Sequence, residues 1–285
     1  MPRRLLLAAF SLAAVAILIA APSAFADAIT PESGGSPNAD DIDTLYKLTL
    51  YIGIAIFLLV EGTLIWSLVK YRARRGGTAD QIRGNTPLEI GWTVGAATIL
   101  VVLTVVVFLY LDEIESPPAS GPNGLQRASE AQFASVDQPN PPTSGGPVMR
   151  IHVNGQQYIW RYDYPGDPGA LYSYEEMVVP TNTTVVLELE ASDVIHSWWI
   201  PKFGPKADAV PGYVNKTWFK VAQPGTYRGQ CAELCGSGHA DMRAQVVAMS
   251  PDRYEQWAQN KREEIQAAGE ELAAQRKQRQ GSAEE

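Results

Sequence analysis

Two long apolar runs, Leu48 to Val69 and Thr93 to Leu111, set the first limit on what this 285-residue chain can become. Each is long enough to cross a hydrocarbon core of about 30 Å at about 1.5 Å of rise per residue. Lipid offers no partner for a free peptide N–H or C=O, so such segments cross as helices whose backbone bonds close internally. The expectation is a transmembrane helical hairpin over residues 48–111.

The loop between the runs carries Lys70, Arg72, Arg74, Arg75 and Arg83, whereas the outer flanks carry Asp40, Asp41, Asp43, Asp112, Glu113 and Glu115. Excess Lys and Arg marks the cytoplasmic side of a span, so both ends of the hairpin face outward. Residues 1–26 fit this topology: Arg3 and Arg4 precede an apolar run from Leu5 to Ala20, and Ala24-Phe25-Ala26 precedes Asp27. That is the pattern of a cleavable secretory signal, and the run falls short of the roughly 20 residues of a span. Residues 27–47 then form an extracytoplasmic N-terminal segment.

Two acids bear on the hairpin. Glu61 lies inside the first run, where a carboxyl is costly unless it faces protein or finds a partner; a buried contact with another subunit is expected. Glu89 stands just before the second run in Thr86-Pro-Leu-Glu-Ile-Gly-Trp92. Pro87 suits a first helical turn, Trp92 suits the membrane interface, and an acid in that turn complements the helix dipole.

Residues 112–147 are rich in Pro and Gly, as in Gln138-Pro-Asn-Pro-Pro142, and read as a linker too poor in apolar residues for a core. From 148 to 252 the pattern changes to short β-rich runs, among them Val148-Met-Arg-Ile-His-Val153 and Thr184-Val-Val-Leu-Glu-Leu-Glu190, with turn signals at Pro165-Gly, Pro211-Gly and Pro224-Gly. This spacing predicts an all-β sandwich. The tail, 253–285, is charged and helix-prone, with acid–base pairs that support an exposed helix. The formal net charge of −8 suits an acidic solvated surface or a basic partner; no nucleic-acid partner is expected.

The chemistry concentrates in Cys231-Ala-Glu-Leu-Cys235-Gly-Ser-Gly-His239-Ala-Asp-Met242, which holds both cysteines of the chain and one of its three histidines. Thiolate and thioether ligands favour copper, imidazole suits it, and hard cations call for oxygen donors instead. A mononuclear blue-copper site needs a single Cys; a second one four residues away lets two sulfurs bridge two metals. His196, in Asp193-Val-Ile-His-Ser-Trp-Trp199, supplies a second imidazole, while His152 lies on a predicted strand as a surface or packing residue. The alternatives are a disulfide, which exported domains favour, and a Cys2His2 zinc site.

Gly229-Gln-Cys-Ala-Glu-Leu-Cys-Gly-Ser-Gly-His-Ala-Asp-Met242 resembles the binuclear copper (Cu-A) loop of cytochrome c oxidase subunit II. Gly155-Gln-Gln-Tyr-Ile-Trp-Arg-Tyr-Asp-Tyr164, Asp193-Val-Ile-His196 and Lys206-Ala-Asp-Ala-Val-Pro-Gly212 occur in that family's order, and the resemblance covers roughly residues 40 to 255. It implies a cupredoxin fold over 148–252 and two copper ions. Cys231 and Cys235 would bridge them, His196 and His239 would terminate them, Met242 would ligate one weakly, and the Glu233 carbonyl would ligate the other. The Glu233 carboxylate would reach a magnesium ion shared with subunit I, near Asp208.

The resemblance further implies a two-pass subunit of the bacterial inner membrane, with the copper domain on the extracytoplasmic side. Its partners would be subunits I and III and an electron donor such as cytochrome c, and its electrons would serve oxygen reduction and proton translocation in subunit I. Glu89 would match an acid at the mouth of a proton path. Tyr158 stands where the family most often has the Trp that accepts the electron; Tyr158 and Trp160 are the candidates for that role, with packing in the sandwich core as the alternative for both. Tyr213 replaces an Arg that commonly follows the Pro-Gly of the Asp208 segment.

Two rivals compete. A quinol oxidase subunit II shares the hairpin and sandwich but lacks the copper ligands, all of which stand here. A membrane-anchored copper carrier or assembly factor would hold metal without passing electrons. Nitrous oxide reductase has a similar loop but adds a propeller domain for which this chain has no room, and no Cys-x-x-Cys-His motif for covalent haem attachment is present.

Overall fold

In a computed structural model the described residues are 30–72, 81–125, 148–164, 166 and 170–281. The expected signal (1–26), the tip of the basic loop and the linker beyond 125 lie outside them.

Both apolar runs are helical, within longer helices: α1 (Pro37–Lys70) and α2 (Thr86–Glu115). The polar flanks extend them because they supply helix ends. At α1, Pro37 takes the first position, where its missing N–H costs nothing, and the Ser36 carbonyl accepts from the N–H groups of Ala39 and Asp40. At α2, the Asn85 side chain accepts from Leu88 N–H at 3.3 Å, and Glu89 reaches back to accept from Asn85 N–H at 3.2 Å. Both bonds satisfy donors that a helix start leaves orphaned. No residue of α2 is buried, and Phe57, Leu59, Val101 and Phe108 stand exposed. Apolar surface on this scale requires lipid or protein cover, and both helices have the length and hydropathy of membrane spans.

The second compact unit comprises residues 31–40 and 113–285. Its strands are β1 (Met149–Gln156), β2 (Ile159–Asp163), β3 (Tyr172–Tyr174), β4 (Glu176–Pro180), β5 (Thr184–Ala191), β6 (His196–Trp199), β7 (Ala207–Ala209), β8 (Asn215–Lys220), β9 (Gly225–Cys231) and β10 (Arg243–Met249). They form two five-stranded sheets, in the orders β3-β2-β1-β5-β8 and β4-β10-β9-β6-β7. The β1–β5 and β4–β10 pairs are parallel and the others antiparallel.

Alternation explains the packing. In β1, Met149, Ile151 and Val153 are buried while their neighbours are half-exposed, and β10 does the same with Ala244, Val246 and Ala248. These inward faces meet around Trp160, Tyr162, Leu187, Trp198 and Phe219, as expected of two sheets with period-2 patterning.

Residues 113–125, expected as linker, run along the sandwich. Gly121 N–H donates to the Asn182 carbonyl at 2.7 Å, Leu125 N–H to Thr183 Oγ1 at 2.7 Å, and Lys220 Nζ to the Ala119 carbonyl at 2.9 Å. Backbone hydrogen bonds substitute here for the apolar residues that this segment lacks. Trp218 joins both chain segments to β8: its carbonyl accepts from Asn38 Nδ2 at 3.0 Å and its indole donates to the Ile114 carbonyl at 2.9 Å.

The tail forms α3 (Pro251–Gly281). Its first turns dock through buried Tyr254 and Ala258, with Trp257 against the Tyr164 ring at 5.2 Å between centroids. The later turns are exposed and carry pairs such as Lys261–Glu264 at 2.8 Å.

Candidate metal centre

Strand pairing brings the predicted ligands together. Trp198 of β6 registers with Cys231 of β9, and Ala232 N–H donates to the Ser197 carbonyl at 2.8 Å. His196, which begins β6, is thereby fixed beside Cys231, which ends β9. The loop from Cys231 to Met242 is closed at its neck by Cys231 N–H donating to the Met242 carbonyl at 2.9 Å, and its far side is a 3-10 turn, His239–Asp241.

Within this frame Cys231 Sγ lies 3.9 Å from Cys235 Sγ and 3.9 Å from His196 Nδ1. Cys235 Sγ lies 3.6 Å from His239 Nδ1 and 3.9 Å from Met242 Sδ, and the Glu233 carbonyl is 3.3 Å from Cys231 Sγ. Both cysteines are free; a disulfide would bring the sulfurs to about 2.05 Å, so that alternative does not describe this structure. His196, Cys231 and Cys235 form a buried group whose donor atoms lie within 4.8 Å of one another.

Burial, and the Cys231 thiol beside it, push the Cys235 thiol up to about 11. Asp193 is different: burial alone would raise its carboxyl, but the hydrogen bonds from His196, Gln157 N–H and Val194 N–H prevail and hold it below the ordinary carboxylate range. Its Oδ1 lies 2.8 Å from His196 Nε2. A carboxylate on the outer nitrogen fixes the ring and leaves the other nitrogen for a metal, and here Nδ1 is the one that faces the sulfurs.

The remaining predicted residues are spread over several places. Tyr158, in the β1–β2 turn, is half-buried, with its hydroxyl 3.2 Å from Ser237 Oγ. Trp160 is wholly buried, 0% exposed, with its ring centroid 5.8 Å from that of His196; it is a core residue behind the His196 ring. The Glu233 side chain, Asp208 and Tyr213 are exposed, and Asp208 registers with Ser197, next to His196. Glu89 belongs to the other compact unit, in the first turn of α2, with the helix-start bond described above. His152 sits on β1, 3.6 Å from Glu190.

Sequence reasoning missed the support around the ligands. Gly155 is one case: a Cβ there would come within 2.9 Å of the His196 ring and 3.1 Å of the Trp160 ring. A Gly inside a strand pattern signals such close approach, and Asp193 three residues before a ligand His was the other available clue.

Residues 165–249 match the sequence model for "Cytochrome C oxidase subunit II, periplasmic domain", and residues 26–109 match that for its transmembrane domain. A cytochrome c oxidase subunit 2 from Thermostichus vulcanus is 35% identical over 257 residues, 80% of this chain and 77% of the relative. The chain belongs to the cytochrome c oxidase subunit II family.

Another relative, cytochrome c oxidase subunit 2 of Alkalihalophilus pseudofirmus, is 32% identical over 85% of this chain, which spans 65% of that protein's length. Among solved structures, the periplasmic domain of subunit II of cytochrome oxidase from Bradyrhizobium japonicum is 33% identical, covering 41% of this chain and 95% of its own, with a TM-score of 0.39. Membership makes this a membrane protein with two spans followed by a cupredoxin-like sandwich, of a family named for an oxidase subunit. The His196, Cys231 and Cys235 cluster is consistent with copper.

Proposed function

We propose that the chain carries a binuclear copper centre of the Cu-A type, held by His196, Cys231, the Glu233 carbonyl, Cys235, His239 and Met242. The observation that carries this is the convergence of five side chains and one carbonyl around two unbonded sulfurs. Six donors exceed the four of a structural zinc site, and soft sulfur with imidazole suits copper. When bound, such a centre takes up and releases one electron at a time. The chain's own part is to hold the donors rigidly on a β scaffold, so that little moves between oxidation states.

In this reading the extracytoplasmic domain accepts electrons from cytochrome c or a similar donor and passes them to the haems of subunit I, where oxygen is reduced and protons are moved. Tyr158 is the acceptor residue, since it is only half-buried beside Ser237 of the 231–242 loop whereas Trp160 is wholly buried. The exposed Glu233 carboxylate, near Asp208, would help hold a magnesium ion shared with subunit I, and the spans, with Glu61, would contact subunits I and III. Glu89 serves the start of α2, with a proton path as its second reading. Copper ligation argues against a quinol oxidase subunit.

The test is Cys231→Ser and Cys235→Ser in the assembled oxidase. Each is expected to abolish electron transfer from the donor while leaving assembly largely intact; undiminished turnover contradicts the reading. Rapid reduction of the loaded centre by a cytochrome separates it from a copper carrier.

A further inference from the structure

The β1–β2 turn touches the ligand set at two points that are far apart in sequence. Gln157 N–H donates to Asp193 Oδ2 at 2.7 Å, and the other oxygen of that carboxylate lies 2.8 Å from His196 Nε2. The side-chain amide of the same Gln157 donates to the Cys235 carbonyl at 2.5 Å. One residue thus bonds to the support of a terminal His and to the backbone of a bridging Cys.

The ligand loop is shaped to receive this turn. A Cβ at Gly236 would come within 2.8 Å of the Gln157 amide and 2.6 Å of the Tyr158 hydroxyl. A Cβ at Gly238 would lie 2.5 to 2.8 Å from three atoms of the Tyr158 ring. Gly236 has φ +132°, a conformation that itself favours glycine. Gly238 has φ −94° and ψ 12°, accessible to other residues, so what glycine provides there is room for Tyr158. Gly236 and Gly238 flank Ser237, between the ligands Cys235 and His239.

We propose that Gln157 is a positioning residue of the metal centre, setting the spacing between the His196 segment and the 231–242 loop by bonding to both. The proposal rests on the binuclear copper reading. Hydrogen bonds behind metal ligands fix their orientation, and losing one typically costs about 10- to 100-fold in metal affinity. Gln157 is itself exposed, which puts the expected loss near the lower bound.

The experiment compares wild type, Gln157→Met and Gln157→Glu as full chains in detergent, loaded with copper alone. Copper is counted, its affinity is measured by chelator competition, and the electron spin resonance pattern is recorded. Metal-free melting is followed alongside. Met keeps the length of Gln without a donor; Glu keeps the shape but presents only acceptors to the Cys235 carbonyl. The expected result is two coppers per chain in all three, affinity about tenfold weaker for Met and weaker still for Glu, altered hyperfine splitting in both variants, and little change in metal-free melting.

A Glu variant that matches wild type in affinity and spectrum overturns the proposal, because it reduces Gln157 to filling space. Equal loss of metal-free stability and copper affinity overturns it too. Gly238→Ala provides a separate test, since it displaces the turn through Tyr158 and leaves Gln157 unchanged; it is expected to weaken copper binding about tenfold, and Tyr158→Ala in the same chain to restore part of that loss. A wild-type chain without two coppers overturns the copper reading and this proposal together, whereas variants indistinguishable from a two-copper wild type overturn only the proposal.

Discussion

Asp193 and His196 work as one unit: the carboxylate lies 2.8 Å from Nε2, and Nδ1 is left 3.9 Å from Cys231 Sγ. The carboxylate thereby fixes the orientation of the ring. Asp193→Asn keeps an oxygen acceptor but loses the charge that strengthens the bond. Copper affinity is expected to fall about tenfold at unchanged stoichiometry, read by competition with a chelator; unchanged affinity would show that the ring is held by packing alone.

Gly155→Ala tests the other side of the same ring. The added methyl would press on both His196 and Trp160, and overfilling a packed core costs about 1–3 kcal/mol. The variant is expected to fold with a lowered melting temperature and to show a changed copper absorption spectrum. A native spectrum would mean that the ring is free to yield without moving its ligand nitrogen.

Alkaline stability follows from the buried tyrosines. Burial raises Tyr162, Tyr164 and Tyr254 above the ordinary tyrosine range. Each stays protonated when folded and would ionise at about pH 10 when unfolded. The stability they contribute is fully present below that value and is lost as pH rises above it toward the folded pKa. Metal-free melting is expected to be insensitive to these groups up to about pH 9 and to fall beyond about pH 10. Tyr254→Phe should make that fall shallower, measured by a pH series of thermal melts; an unchanged slope would remove Tyr254 from the account.

The spans and the clustering of donors in the 231–242 loop were legible in the sequence because each is a local signal: a run of apolar residues in one case, soft donors within twelve positions in the other. His196 was legible because the chain has so few histidines. What escaped was set by contacts between distant segments. For Trp160 the sequence leaves electron entry and the sandwich core both open; β1 and β2 pair Gly155 with it in register and leave its ring behind His196, which decides for the core. Residues 113–125 lack apolar content yet dock through backbone bonds to the Asn182–Thr183 turn, a kind of order that composition does not register. Nothing local marks Gln157, whose two partners lie 36 and 78 positions away in the sequence.

The central claim is that Cys231 and Cys235 together hold two copper ions as one electronic unit. Copper counting with electron spin resonance on the copper-loaded full chain tests it most directly. The account predicts two coppers per chain and a spectrum from one electron shared over two equivalent nuclei. A single-copper pattern, or a chain that takes up no copper, would contradict it.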